Sequence, residues 1–112
     1  MKNNSEQKEA FLNRHIFYGL QNLNDGFDAP GITYFSENHF EEVLTRVQRE
    51  GLGIAGIEPW KNRAFYGIMV YEDFTHDPTD PNWYRKAFQK FKEQKEDLLY
   101  AASYFIPGKL LL

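Results

Sequence analysis

The sequence predicts an α+β fold, with a small antiparallel sheet built on a central hairpin and packed against about three helices. Two segments in the middle and last thirds of the chain show the three- and four-residue apolar spacing of amphipathic helices, and an N-terminal segment shows it too. Residues 52–73 lie between the helical segments of the middle and last thirds. They are rich in β-branched and aromatic residues interrupted by glycine, which is typical of strands. We therefore expect the helices to cover one face of a small sheet.

The first helix is predicted over about Glu6 to Asn22, with Asn4 or Ser5 as its N-cap, because the apolar residues there keep to helical spacing. Turn-forming residues then fill positions 24–31, which we interpret as a loop. Ile32 to Phe35 is a short β-prone run that can add a strand to the sheet.

The two later helices have clear start signals. Ser36 is placed to cap the second helix, and Gly51 to end it. Asp80 is placed to cap the third, and Pro81 occupies its first position, where a missing N–H costs nothing. The apolar face of this last segment continues so far that the sequence predicts one long helix ending near Ile106.

The strand-rich segment predicts a hairpin that reverses at Lys61-Asn62-Arg63. Pro59 has no N–H to donate, so we expect it at a sheet edge or beside a bulge. The predicted register pairs Trp60 with Ala64, Glu58 with Tyr66, Gly56 with Ile68, and Ile54 with Val70.

The predicted core collects apolar residues from every element. Leu110, Leu111 and Leu112 are too apolar for a free tail, so we expect them to pack on the domain, with a neighbouring chain as the alternative. The core residues expected are Phe11, Ile16, Phe40, Val43, Leu44, Val47, Ile54, Ile57, Ile68, Val70, Phe88, Phe91 and Leu98.

Composition excludes several classes of protein. A chain of 112 residues fits a single domain spanning residues 1–112. Its net charge of −3 at pH 7 argues against general nucleic-acid binding, which depends on basic residues. The chain has no cysteine, which excludes thiol catalysis, iron–sulfur clusters and disulfides. The polar N-terminus and the lack of a long apolar run predict neither secretion nor membrane insertion, so we expect a cytoplasmic protein.

No motif predicts a catalytic set or a cofactor. The three histidines fall on separate segments, and the glycines at 51–56 follow a helix rather than a strand, unlike a dinucleotide-binding turn. Asp73, His76, Asp77 and Asp80 lie close together in sequence and form a weak alternative metal site. We favour the interpretation that these residues serve turns and the cap of the last helix.

Charge and aromatic content favour a partner surface on the hairpin. Residues 37–80 hold nine acidic against four basic residues, whereas residues 81–112 hold six basic against three acidic. Several aromatics, among them Tyr34, Trp60, Tyr66, Tyr71 and Trp83, exceed what a small core needs to bury. We therefore predict partner binding by Glu58, Trp60, Glu72 and Asp73, with Trp60 either an anchor for the partner or a lid on the core.

Four short motifs resemble the immunity protein 40 family of bacterial polymorphic toxin systems. They are Gly31-Ile32 before the second helix, the strand Gly53 to Glu58, Asn82-Trp83-Tyr84, and the ending Ala101 to Ile106. The resemblance covers about residues 31–106 and implies a non-catalytic α+β protein that binds and neutralises a cognate toxin.

Three classes of function therefore compete. The first is a protein-binding inhibitor such as an immunity protein, which the compact acidic chain without a reactive group favours. The second is a small-molecule or divalent-metal binding domain, and the third is a small enzyme of unknown reaction. The sequence leaves the oligomeric state open.

Overall fold

The computed structural model describes residues 4–111, and it has three α-helices and four strands in that range. The helices are α1 (Asn4–His15), α2 (Glu37–Glu50) and α3 (Pro81–Gln94), and the strands are β1 (Gly53–Lys61), β2 (Ala64–Phe65), β3 (Met69–Val70) and β4 (Leu99–Phe105). Short 3-10 turns follow β3 at Tyr71–Asp73 and β4 at Gly108–Leu111. None of the helices described over residues 4–111 has both the length and the hydrophobicity that a membrane-spanning helix needs.

The sheet is antiparallel and centred on β1. β4 pairs with one side of β1, from Gly53 opposite Phe105 to Trp60 opposite Leu99, while β2 and β3 pair with the other side. The register along β4 shifts between Ile54 and Gly56, so that Ala55 forms a bulge. The predicted α+β class, with three helices against a small antiparallel sheet, is confirmed.

The last third of the chain differs from the sequence prediction. We expected one helix to Ile106, but α3 ends at Gln94 and the chain returns as β4. Lys95 has extended φ and ψ angles, and Asp97 has a positive φ of 57°, so the helical path is broken there. The prediction was wrong because the short run Leu99–Phe105 has apolar residues at spacings that fit both helical and strand periods.

The first helix is also shorter than predicted. It begins at Asn4 and ends at His15, so Asn4 and Ser5 lie inside it rather than capping it. Arg46 of α2 explains the early end, because its Nη1 donates hydrogen bonds to the carbonyl oxygens of Ile16 and Tyr18 at 3.0 and 2.6 Å. These contacts replace the hydrogen bonds that further helical turns would supply.

The caps of α2 and the start of α3 are as predicted. The Ser36 hydroxyl accepts a hydrogen bond from the His39 N–H, and Gly51 ends α2 in the left-handed conformation with a φ of 76°. The Asp80 carboxylate accepts a hydrogen bond from the Asn82 N–H, and Pro81 opens α3.

The hairpin register was predicted incorrectly by one residue or more. Asn62 and Arg63, with φ of 52° and 66°, form a two-residue turn rather than a three-residue one. As a result Trp60 pairs with Phe65, and Gly56 pairs with Val70. Residues 66–68 lie outside both strands, which moves Ile68 out of the predicted pair with Gly56.

Pro59 lies in the central strand, opposite Tyr100, so the expectation of a sheet edge was wrong. Its missing N–H is tolerated because the ladder on the hairpin side is interrupted there. The Pro59 carbonyl oxygen accepts hydrogen bonds from the N–H groups of both Tyr66 and Gly67, at 2.9 and 3.4 Å. The alternative expectation was a bulge near the hairpin tip. The structure instead has a three-residue gap there, at residues 66–68 between β2 and β3.

Two shorter predictions have mixed outcomes. Residues 32–34 form no strand, and the β-prone run contributes only an isolated antiparallel bridge between Phe35 and Tyr100. Leu110 and Leu111 pack against the core, as expected, and the C-terminal turn contacts α1. Leu112 lies outside the described residues.

The core lies between the sheet and the faces of α2 and α3. Ten of the predicted core residues are buried: Ile16, Phe40, Val43, Leu44, Val47, Ile54, Ile57, Phe88, Phe91 and Leu98. Phe11 and Val70 are only partly buried, and Ile68 is 56% exposed, because the corrected register turns it away from the helices. Tyr34 and Trp83, which we expected near the surface, are buried.

Replacing buried and exposed members of the predicted core tests this packing. Leu44→Ala should lower the free energy of unfolding by about 2–5 kcal/mol, because it leaves a cavity in the core. Ile68→Ala should change it by less than about 0.5 kcal/mol, as exposed positions do. Denaturant titration measures both, and a cost for Ile68→Ala as large as that for Leu44→Ala would contradict the register described here.

Buried tyrosine hydroxyls make the stability of the fold depend on pH in the alkaline range. Among residues 4–111, the hydroxyls of Tyr84, Tyr100 and Tyr104 are buried without a hydrogen-bond partner. Burial raises the pKa of Tyr84 to about 12. The unfolded chain therefore releases this proton at lower pH than the folded chain, and the stabilisation present at neutral pH is lost as pH rises.

Tyr84→Phe removes this proton linkage. Between about pH 10 and pH 12, the free energy of unfolding of the parent should fall more steeply than that of the variant, by up to about 1.4 kcal/mol per pH unit. Denaturant titration at each pH gives the two slopes. Parallel curves over this range would show that the Tyr84 hydroxyl does not titrate differently in the folded and unfolded chains.

Candidate functional site

The two faces of the sheet have different surroundings. The Tyr100 ring points toward the helices, where it stacks on Phe40 of α2 with 5.1 Å between ring centroids and meets Phe88 of α3 edge-on. Side chains alternate along a strand, so Ala101, Ser103 and Phe105 point to the opposite face. We call this opposite face the open face.

Large apolar side chains are exposed on the open face. Ile68 and Phe65 are each 56% exposed, and Phe105 is 45% exposed. Ile32, in the loop before α2, borders the same face and is 36% exposed. Of the five most exposed large hydrophobic residues in the described range, these are four, and only Tyr18 lies elsewhere. Exposed apolar side chains that share one face mark an interaction site more often than scattered ones do.

Glu58 and Trp60 lie side by side on the open face of β1, as the sequence suggested. The Trp60 Nε1–H donates a hydrogen bond of 2.8 Å to Glu58 Oε2. The Trp60 ring is partly buried and packs at an angle against the rings of Phe27, Tyr34 and Phe65. These contacts fix the Trp60 side chain, which in turn holds the Glu58 carboxylate in place.

Two residues that the sequence did not place in the site complete this cluster. The loop before α2 brings Asp28 and Tyr34 onto Glu58, with the Tyr34 hydroxyl 2.6 Å from Asp28 Oδ2 and 3.4 Å from Glu58 Oε2. Burial raises the pKa of Tyr34, and the two neighbouring carboxylates raise it further. The Tyr34 hydroxyl therefore stays protonated, and it donates its hydrogen bond to Asp28.

Asp28 and Glu58 have no cationic partner among the residues that the structure describes. Within residues 4–111, neither Asp28 nor Glu58 forms an ion pair. The nearby Arg63 binds Asp25 instead, at 2.7 Å, with its guanidinium carbon 5.7 Å from the centre of the Phe27 ring. The partly buried Asp28 and Glu58 thus form an acidic site that the described chain does not neutralise.

A small hollow opens beside Glu58. Its volume is about 140 Å³, and the small residues Gly56, Ala101 and Ser103 line it between the exposed side chains of Ile32 and Ile68. A Cβ atom at Gly56 would meet Val70 Cγ1 at 3.5 Å, the Met69 carbonyl oxygen at 3.6 Å and Ile68 Cδ1 at 4.0 Å, which are ordinary contacts. The hollow therefore results from the row of small side chains that crosses β1 and β4.

The other two predicted partner-binding residues lie apart from this cluster. Glu72 and Asp73 are exposed in the 3-10 turn after β3. Since Val70 pairs with Gly56, this turn continues toward the Gly53 end of β1, whereas Trp60 lies near the opposite end. The structure brings together Glu58 and Trp60 and leaves Glu72 and Asp73 at the end of the sheet.

The acidic segment after β3 has structural hydrogen bonds. The Asp77 carboxylate accepts hydrogen bonds from the N–H and hydroxyl of Thr79, at 2.9 and 2.7 Å, and Asp80 caps α3. The pKa of Asp77 is lowered by these bonds. Asp73 and His76 are exposed, and no group of three or more His, Cys, Asp or Glu side chains in the described part of the chain is arranged to hold a metal ion.

Comparison of the chain with protein-family models gave no match, and comparison with curated proteins and with solved structures gave no significant one. The resemblance to the immunity protein 40 family therefore remains a prediction.

The role of Tyr34 in the acidic cluster is testable by removing single hydroxyls. Tyr34→Phe should lower the free energy of unfolding by about 1–3 kcal/mol, because a partly buried carboxylate loses its hydrogen-bond donor. Tyr100→Phe is the matched control, since that hydroxyl is buried without a partner in the described chain and its removal should be neutral or stabilising. Equal effects of the two substitutions in thermal or denaturant unfolding would contradict the hydrogen bond to Asp28.

Proposed function

We propose that this chain is a non-catalytic protein-binding domain that neutralises a cognate bacterial toxin, as immunity proteins do, and that it binds this partner through the open face. The observation that carries the proposal is the exposure of Phe65, Ile68 and Phe105 on one face of the sheet. Burying such side chains against a partner releases water from apolar surface, which is a main source of affinity between proteins.

Charge on and around the open face favours a basic partner. Glu58 lies on the face without an ion pair in the described chain, and the exposed Glu72 and Asp73 lie at the end of the sheet. Of the basic side chains at the hairpin tip, Arg63 binds Asp25. Lys61 follows Trp60 in β1 and therefore points to the other face of the sheet, where it donates to the Glu96 carbonyl oxygen. The surface is therefore acidic where a partner would approach.

Apolar and acidic groups have separate roles in this proposal. The apolar side chains of the open face supply the affinity once they are covered. Glu72 and Asp73, as exposed charges at the rim, accelerate the encounter with a basic partner and have little effect on dissociation. Inhibition then follows from covering the partner's surface, and it requires no reaction by this chain.

The cognate toxin domain is best sought in the protein encoded immediately upstream of this chain. We expect the C-terminal domain of that protein to form a stable complex with this chain and to stop inhibiting cell growth when the two are co-expressed. Ile68→Asp should weaken the complex about 30-fold or more, because it places a charge within the apolar contact. Isothermal titration calorimetry and a growth assay measure these effects.

Gln89→Asp is the control for the added charge. Gln89 is exposed on α3, away from the open face, so this variant should bind within about twofold of the parent. Absence of both a complex and growth rescue would contradict the proposed function. A complex that both variants form as well as the parent would exclude the open face as the docking surface.

A further inference from the structure

We propose that the hollow beside Glu58 binds a lysine side chain of the partner, with its aliphatic stem between Ile32 and Ile68 and its ammonium group on the Glu58 carboxylate. This inference rests on the proposed function, because it names the partner group that the open face recognises. It follows from three features of the structure: the shape of the hollow, the charge of Glu58 in its lining, which no ion pair in the described chain compensates, and the hydrogen bond that orients Glu58.

The shape of the hollow suits a single extended side chain. Its volume of about 140 Å³ is too small for a ring system with substituents, and its floor is formed by residues with little or no side chain. Ile32 and Ile68 stand on either side as exposed apolar walls. An aliphatic stem inserted between them would cover apolar surface that is in contact with water in the free chain.

The negative charge of Glu58 beside the hollow favours a cationic group in the partner. Asp28 and Glu58 both approach the Tyr34 hydroxyl. This hydroxyl can donate one hydrogen bond, and it donates to Asp28, at the shorter distance of 2.6 Å. Glu58, at 3.4 Å, gains no charge neutralisation from this contact. Partly buried carboxylates without a counter-ion are unfavourable, so a cation brought by the partner to Glu58 would be stabilising.

The orientation of Glu58 favours an ammonium group. Trp60 donates to Oε2, which leaves Oε1 as the carboxylate oxygen without a hydrogen-bond donor in the described chain. A guanidinium group binds a carboxylate best through two parallel hydrogen bonds that use both oxygens. An ammonium group acts as a point charge on a flexible stem and needs only one of them.

A direct test titrates the isotope-labelled chain with Nα-acetyl-lysine methylamide and follows backbone amide resonances by NMR. We expect saturable shifts at Gly56, Ala101 and Ser103. Nα-acetyl-norleucine methylamide has the same stem without the charge and should bind about fivefold more weakly or worse, as should the arginine analogue. Equal binding of the norleucine compound, or tighter binding of the arginine compound, would overturn the assignment of a lysine.

Two pairs of variants locate the probe. Glu58→Gln keeps an oxygen that accepts the Trp60 hydrogen bond but removes the charge, and it should weaken binding of the lysine probe about fivefold or more. Glu93→Gln, exposed on α3, should bind like the parent. Ser103→Leu should fill the hollow and abolish the shifts, whereas Ser103→Ala should preserve them. Parent-like binding by Glu58→Gln or Ser103→Leu would place the probe elsewhere.

A negative result in the probe titration can be distinguished from a negative result in the toxin experiment. If the toxin domain binds through the open face but the lysine probe causes no shift at the hollow, the lysine site is wrong and the proposed function stands. If the probe binds the hollow but the toxin domain neither binds nor is neutralised, the hollow remains a site for a basic side chain and the proposed function is wrong.

Discussion

Pairing between β1 and β4 is the interaction on which the rest of the structure depends. It joins the middle of the chain to its C-terminal part over seven residue pairs, and it makes β1 the central strand. The bulge at Ala55 lets both Ile54 and Ile57 face the helices, and Tyr100 enters the core from the neighbouring strand. The same pairing aligns Gly56 with Ser103 and Glu58 with Ala101, so it also creates the hollow and the open face.

Local signals predicted the parts of the fold that depend on local chemistry. Ser36 and Gly51 at the ends of α2, and Asp80 with Pro81 at the start of α3, act through neighbouring backbone groups and can be recognised in the sequence. The position of β4 depends on pairing with residues 39 to 52 positions earlier, which no local pattern records. The hairpin register was missed because two and three turn residues fit Lys61-Asn62-Arg63 equally well until the backbone angles are known.

The candidate site could be predicted only in part for the same reason. Glu58 and Trp60 are two residues apart on one strand, so alternation alone places them on the same face. Asp28 and Tyr34 belong to a loop whose return to β1 is set by tertiary packing, and Tyr34 was expected near the surface. The resulting pair of carboxylates around one phenol is the kind of local conflict that natural proteins retain at functional sites.

The most direct test of the account is an NMR measurement of contacts between β1 and β4. Tyr100 exchanges both backbone hydrogen bonds with Phe35, so its partner on the other side, Pro59, belongs to a non-hydrogen-bonded pair, as does Ile57 with Ala102. Cα atoms in such pairs lie about 4.5 Å apart, and a strong nuclear Overhauser effect is expected between the Hα atoms of Ile57 and Ala102. Helical contacts running from Lys95 to Ile106, without that cross-strand signal, would contradict the sheet, the hollow and the open face together.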